Sequence, residues 1–173
     1  MSNRPEQGEY PEWYDGYVKS VPDGNIVELL KTQLAKMNTI AAGIHEDIAF
    51  FRYEPGKWSI KEVYGHLNDT ERIFSYRALR FLRNDKTDIP QYDQDMYVSA
   101  ANFDAIPFKK LFEEFKQIRS ATISLFENVN GEQWKLAGTS GGKLFTVSAM
   151  AYIITGHVSH HIDVLKEKYF VTV

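Results

Sequence analysis

At 173 residues, with 43% apolar and 25% charged side chains, the chain has the make-up of one ordinary globular domain rather than of a disordered or fibrous one. Its 20 Lys and Arg against 23 Asp and Glu leave a net charge of −3, which excludes the basic footprint of a general nucleic-acid binder. Cysteine is absent, and with it go disulfides, a thiol nucleophile, thiolate metal sites and iron–sulfur clusters.

The N-terminal stretch, from Met1 to Tyr17, pairs no basic flank with an apolar core, so it does not read as a secretory signal. No apolar run approaches the ~18 residues of a membrane span. A cytoplasmic protein without membrane contact is the expectation. Residues 1–22 read as an extended arm in which Tyr10, Trp13, Tyr14 and Tyr17 stand among Gly and Pro, rings suited to packing on a domain surface. Residues 23–173 read as a single helical domain.

A first helix is expected from Asn25, with Glu28 three residues on as in a capping box. Ile26, Leu29, Leu30, Met37, Ile40, Ala41 and Ile44 recur on one face of it. Pro55-Gly56 marks a turn. A second helix starts at Ser59, with Glu62 completing another capping box, and runs to about Arg83. The next segment, Asn84 to Ile106, is a long polar connection, and in a bundle such a connection is functional or holds a short helix of its own. A third helix opens with Pro107 in its first turn and ends at Asn130-Gly131. A fourth starts after Thr146 and ends near Tyr169. No strand pair is evident. Gly138 to Gly142 is not a phosphate loop, because it lacks the preceding strand and the Gly-Lys-Ser/Thr ending. The fold class expected is all-α: a four-helix bundle with an N-terminal arm and a long loop between its second and third helices.

Three of the five histidines lie close together, at His157, His160 and His161. His157 and His161 are one turn apart on a helix, so both imidazoles can reach a single divalent ion. With each residue advancing about 100° around the axis, His161 falls roughly 40° and His157 roughly 80° from the centre of the apolar stripe, on the same side. His160 falls roughly 140° away, toward solvent. His66 on the second helix also flanks its stripe, and it can complete a three-His set with open positions, the arrangement of catalytic rather than closed structural sites. Without thiolates, zinc, nickel and ferrous iron are all admissible. The competing reading is of satisfied core histidines. His45 has no partner at helical spacing and reads as a helix-end or surface residue. Glu62 and Asp69 lie four before and three after His66 and are candidates for a carboxylate behind its ring, although a helix cap for Glu62 and a solvated position for Asp69 are the favoured readings. Asp93 and Asp95 sit on the long loop and could approach the site. Arg77 and Arg80 read as surface ion pairs, or as contacts to an acidic substrate.

Two stretches, Tyr53 to Arg80 and Ala149 to Tyr169, resemble the DinB-like superfamily of metal-binding four-helix proteins. The shared pattern is a Trp-Ser helix start, a His about eight residues on, and a distal His-x3-His. It is met by Trp58-Ser59, His66, and His157 with His161. Tyr92-Asp93-Gln94-Asp95 and Ala100-Ala101-Asn102-Phe103 fit as well, so the resemblance extends over most of residues 10–170. It implies a bundle of up-up-down-down type, with His66, His157 and His161 as ligands of a divalent ion (nickel or zinc, with iron admissible) and a homodimer. It also implies a metal-dependent enzyme acting on a small electrophilic substrate, a hydrolase or an S-transferase using a low-molecular-weight thiol. The alternative is a non-catalytic, dimeric metal- or ligand-binding stress-response protein.

Overall fold

Capping side chains set where the long helices begin. The computed structural model describes residues 4–171. Helix α1 spans Asp15–Ser20 and α2 spans Ile26–Ala42, where the Asn25 side chain accepts from the Val27 and Glu28 amides at 2.9 and 3.3 Å. Helix α3 spans Ile60–Leu82 and starts with a reciprocal capping box: Ser59 Oγ accepts from the Glu62 amide at 3.1 Å while the Glu62 carboxylate accepts from the Ser59 amide at 2.7 Å. Helix α4 (Gln94–Ala101) is capped by Asp93. Helix α5 spans Phe108–Glu127, with Pro107 as its cap, and stops at Asn128, just short of the expected Asn130-Gly131. Helix α6 spans Val147–Tyr169, capped by Thr146.

Helices α2, α3, α5 and α6 form the expected four-helix bundle, with α3 packed on α5 and α6, and α2 packed on the same two. Paired residues give the directions. Tyr64 meets Phe108 and Glu71 meets Arg119, so α3 and α5 are parallel. Tyr169 donates to the Trp58 carbonyl and His66 meets His157, so α3 and α6 are antiparallel. Helix α2 runs against α5, with Lys31 on Glu127 and Gln33 on Arg119. In chain order the directions read up-down-down-up, which differs from the expected up-up-down-down. The segment between α3 and α5 is the reason: it carries α4 back along the bundle, so α5 restarts at the end where α3 began.

Three further expectations are corrected. The N-terminal arm is not extended throughout, because Glu12–Tyr14 form a 3-10 turn that leads into α1, and α1 packs on α6. Residues 1–3 of that arm lie outside the described residues. A two-stranded antiparallel hairpin, β1 (Ala137–Ser140) with β2 (Lys143–Thr146), stands where no strands were expected. Its two-residue turn is Gly141-Gly142, with φ of 58° and 70°, the positive values a type I′ hairpin turn requires. Finally, Arg77 is no surface ion pair. It is buried, its Nη2 donates to the Pro90 carbonyl at 3.2 Å, and its guanidinium lies over the Phe74 ring. Arg80 does pair with Asp85, at 2.6 Å.

The core continues through the bundle from a layer around Leu30, Phe81, Phe126 and Tyr152 to one around Met37, Tyr64, Phe115 and Leu165. Among the described residues, no helix is long and apolar enough to cross a membrane.

Candidate metal centre

The Ser59 cap fixes the start of α3 and so places His66 two turns into the bundle, facing α6. On α6, His157 and His161 fall one turn apart on the side turned toward α3. All three are buried. Their nitrogen donors come within 4.8 Å of one another. His66 Nε2 and His157 Nε2 are 2.9 Å apart, and the ring centroids are separated by 4.9 Å (His66–His157), 5.0 Å (His66–His161) and 4.7 Å (His157–His161). The three residues singled out in the sequence therefore meet at one point, while His160 is exposed and His45 lies on the surface, as their helical positions predict.

Glycine precedes a histidine of the set on both helices. A Cβ at Gly65 would lie 2.4 Å from the Phe103 ring, and one at Gly156 would lie 2.1 Å from the Tyr17 carbonyl oxygen. The absence of a side chain at Gly156 is what lets the α1 backbone close over α6 beside His157. The Tyr17 ring stands edge-on to His157, with centroids 5.6 Å apart. On the other side, the Trp58 ring packs against His66 at 4.7 Å.

Burial without a counter-charge governs the electrostatics. Desolvation pushes His66 down to about 4, with the charge of His160 adding to the effect. It also drives His157 and His161 well below the ordinary imidazole value, and neighbouring imidazoles reinforce the shift. The set is thus held neutral, the form in which imidazole binds metal. The Nδ1 of His161 is buried with no hydrogen-bond partner. A cluster of neutral, partly unsatisfied nitrogen donors costs folding free energy unless something binds it. The donor set fits a divalent metal ion.

The residue behind His66 is not a carboxylate. Thr70 Oγ1 lies 3.4 Å from His66 Nδ1 and 2.8 Å from the Tyr92 hydroxyl, so a hydroxyl chain backs that ring. Glu62 is held at the helix start by the Ser59 amide and by Arg52. The half-buried Asp69 has Arg72 and Glu114 as its charged neighbours, and burial pushes its carboxyl upward. Neither carboxylate is hydrogen-bonded to His66: Glu62 takes the favoured capping role, and Asp69 has its charged neighbours in Arg72 and, on α5, Glu114. Thr70 was legible as the i+4 neighbour of His66. Tyr92 stands in a stretch that resembles the family, but no spacing links it to His66, because it arrives from the long connection.

An open cleft of about 320 Å3 runs past His160 and His161 between Tyr53, Trp58 and Tyr169. Asp95 at the start of α4 lines it together with Lys57, so the connection does reach the site, whereas Asp93 serves as the α4 cap.

The model of the DinB superfamily matches residues 29–165. Among solved structures, the fold is similar to that of YfiT from Bacillus subtilis, with a TM-score of 0.73 at 15% identity, over 97% of this chain and 94% of that one. YfiT is described as "a probable metal-dependent hydrolase with an unusual four-helix bundle topology". No curated protein matches the sequence significantly.

Proposed function

This chain belongs to the DinB superfamily, and from that premise we propose that it is a divalent-metal-dependent enzyme acting on a small electrophilic substrate, by hydrolysis or by transfer to a low-molecular-weight thiol. One observation carries the reading: three buried imidazoles converge within 4.8 Å, and among the described residues no carboxylate joins the group. Three protein donors leave coordination positions open, as catalytic rather than structural sites do. The description of YfiT as "a probable metal-dependent hydrolase" supports the same class.

His66, His157 and His161 would hold the ion. It supplies Lewis acidity, lowering the pKa of a water or thiol that occupies an open position. The rest is done by the chain. Trp58 and Tyr17 wall two sides of the histidine cluster and keep bulk water from it. Thr70 holds the Nδ1 side of His66. The cleft beside His161 gives a substrate access, with aromatic walls for its apolar part and the Asp95 carboxylate within the same space as a proton acceptor. A transfer reaction would need its thiol from a cosubstrate, since the chain has no cysteine.

The test is metal content by mass spectrometry on tag-free protein purified without chelator, followed by turnover of ester, amide and thiol-acceptor panels. Near one ion per chain, with turnover lost on chelation and restored by metal, is the expected result. Turnover that survives complete metal removal would overturn the reading.

A further inference from the structure

Behind the histidine cluster lies a polar network that plays no part in the proposed chemistry. Arg119 on α5 is fully buried, at 0% exposure. Its Nε and Nη2 donate to the two carboxylate oxygens of Glu71 at 2.7 and 2.8 Å, a bidentate pair inside the bundle. Its Nη1 donates to Gln33 Oε1 at 2.7 Å. Gln33 on α2 then donates through Nε2 to the Thr155 carbonyl at 2.8 Å and to Ser159 Oγ at 2.9 Å. Thr155 and Ser159 sit two residues before and two residues after His157. Glu71 directly follows Thr70, whose hydroxyl touches His66. One chain of hydrogen bonds therefore joins all four bundle helices at the level of the candidate metal centre.

Stability alone does not account for such a network. Replacing a buried ion pair by apolar side chains of similar volume is often neutral or stabilising, because two charges have been taken out of water. Apolar contacts, however, are non-directional and tolerate sliding of one helix on another. A bidentate guanidinium–carboxylate pair and a carboxamide with both ends engaged do not. Here the directional contacts grip α6 on both sides of His157 and grip α3 beside Thr70, so they fix the offset between the two helices that bring the three imidazoles together.

We infer that Glu71, Arg119 and Gln33 are positioning residues, which hold the His157/His161 helix in register with His66 and so set the affinity and geometry of the metal centre. The inference rests on the three-His reading of the site.

The experiment uses the full chain, with zinc affinity from chelator competition, the visible spectrum of the cobalt(II)-loaded protein, and the melting temperature of the metal-free form. Two variants are compared with the wild type: Gln33→Leu, and the triple Gln33→Leu, Glu71→Leu, Arg119→Met. The triple should keep or raise the metal-free melting temperature yet bind zinc ~10–100-fold more weakly, the usual cost of losing support behind a metal ligand, with an altered cobalt spectrum. Gln33→Leu alone should weaken zinc in the same direction, and it decides the matter if the triple does not fold. Zinc affinity and cobalt spectrum equal to wild type, whatever happens to the melting temperature, would overturn the inference. Failure of the wild type itself to take up zinc or cobalt would overturn the three-His reading first, and this shows before any variant is measured.

Discussion

His66 and His157, 91 positions apart in the sequence, bring their Nε2 atoms to 2.9 Å. Among the described residues no carboxylate is hydrogen-bonded to either ring, and with both imidazoles neutral one Nε2–H donates and the other Nε2 accepts. This has consequences for both pH and metal.

Stability of the metal-free protein should fall in mild acid. An unfolded histidine titrates near 6.5, while His66 in the fold is pushed down to about 4. Between those values the unfolded chain binds more protons, so unfolding is favoured as pH drops. The contribution is fully present above pH 6.5 and is lost progressively toward pH 4, by about 3 kcal/mol from His66 alone. Urea melts of chelated protein from pH 7.5 to 4.5 measure it. A midpoint that stays flat down to pH 5 would mean the imidazoles are not buried in neutral form.

His161 offers a separation of metal binding from folding. Its Nδ1 is buried and unpartnered. His161→Leu removes that unmet polar atom and should make the metal-free protein more stable by about 1 kcal/mol, the low end of the cost of such a group. The same change should abolish stoichiometric zinc binding. Thermal melts and metal analysis of one preparation check both halves, and a lower melting temperature would count against the assignment.

Glu62 and Thr70 lie four residues either side of His66 and should behave oppositely. Glu62→Ala breaks the capping box and should cost about 1 kcal/mol of stability with metal content unchanged. Thr70→Val removes the hydroxyl between His66 and Tyr92 at nearly constant volume. It should weaken zinc ~10-fold, and Thr70→Ser should restore most of the affinity. Equal effects of the two alterations on zinc would show that Thr70 does not support the ring.

Gly156→Ala should be among the most damaging small changes in the chain. The added Cβ would meet the backbone of Tyr17 at 2.1 Å, and a main-chain atom cannot swing aside as a side chain can. Helix α1 would have to lift away from α6. Faster hydrogen exchange in residues 15–20, with α3 unaffected, is the expected signature.

The four long helices and the three histidines were legible because both depend on local spacing: a 3.6-residue apolar period, a Ser59–Glu62 cap, and two imidazoles one turn apart. The hairpin was not legible. Ala137–Ser140 carries no alternation of apolar and polar residues, and it becomes a strand by pairing with Lys143–Thr146 and touching Ile89. Arg77, Arg119 and Glu71 were opaque for a related reason. A charged residue in a helical pattern reads as solvated, and its burial becomes visible only once a distant carbonyl or carboxylate arrives to meet it. The helix directions likewise depend on how α4 returns along the bundle, which no local pattern encodes.

The contact between Tyr17 and Gly156 ties the N-terminal segment to the helix that carries two of the three histidines. The stretch matched to the superfamily begins at residue 29, after α1. A version trimmed to that stretch would keep all three imidazoles and lose the cover over one of them. His157 would then face solvent and its proton affinity would climb back toward that of a free imidazole. The N-terminal segment thus acts as insulation for a centre built entirely by other parts of the chain.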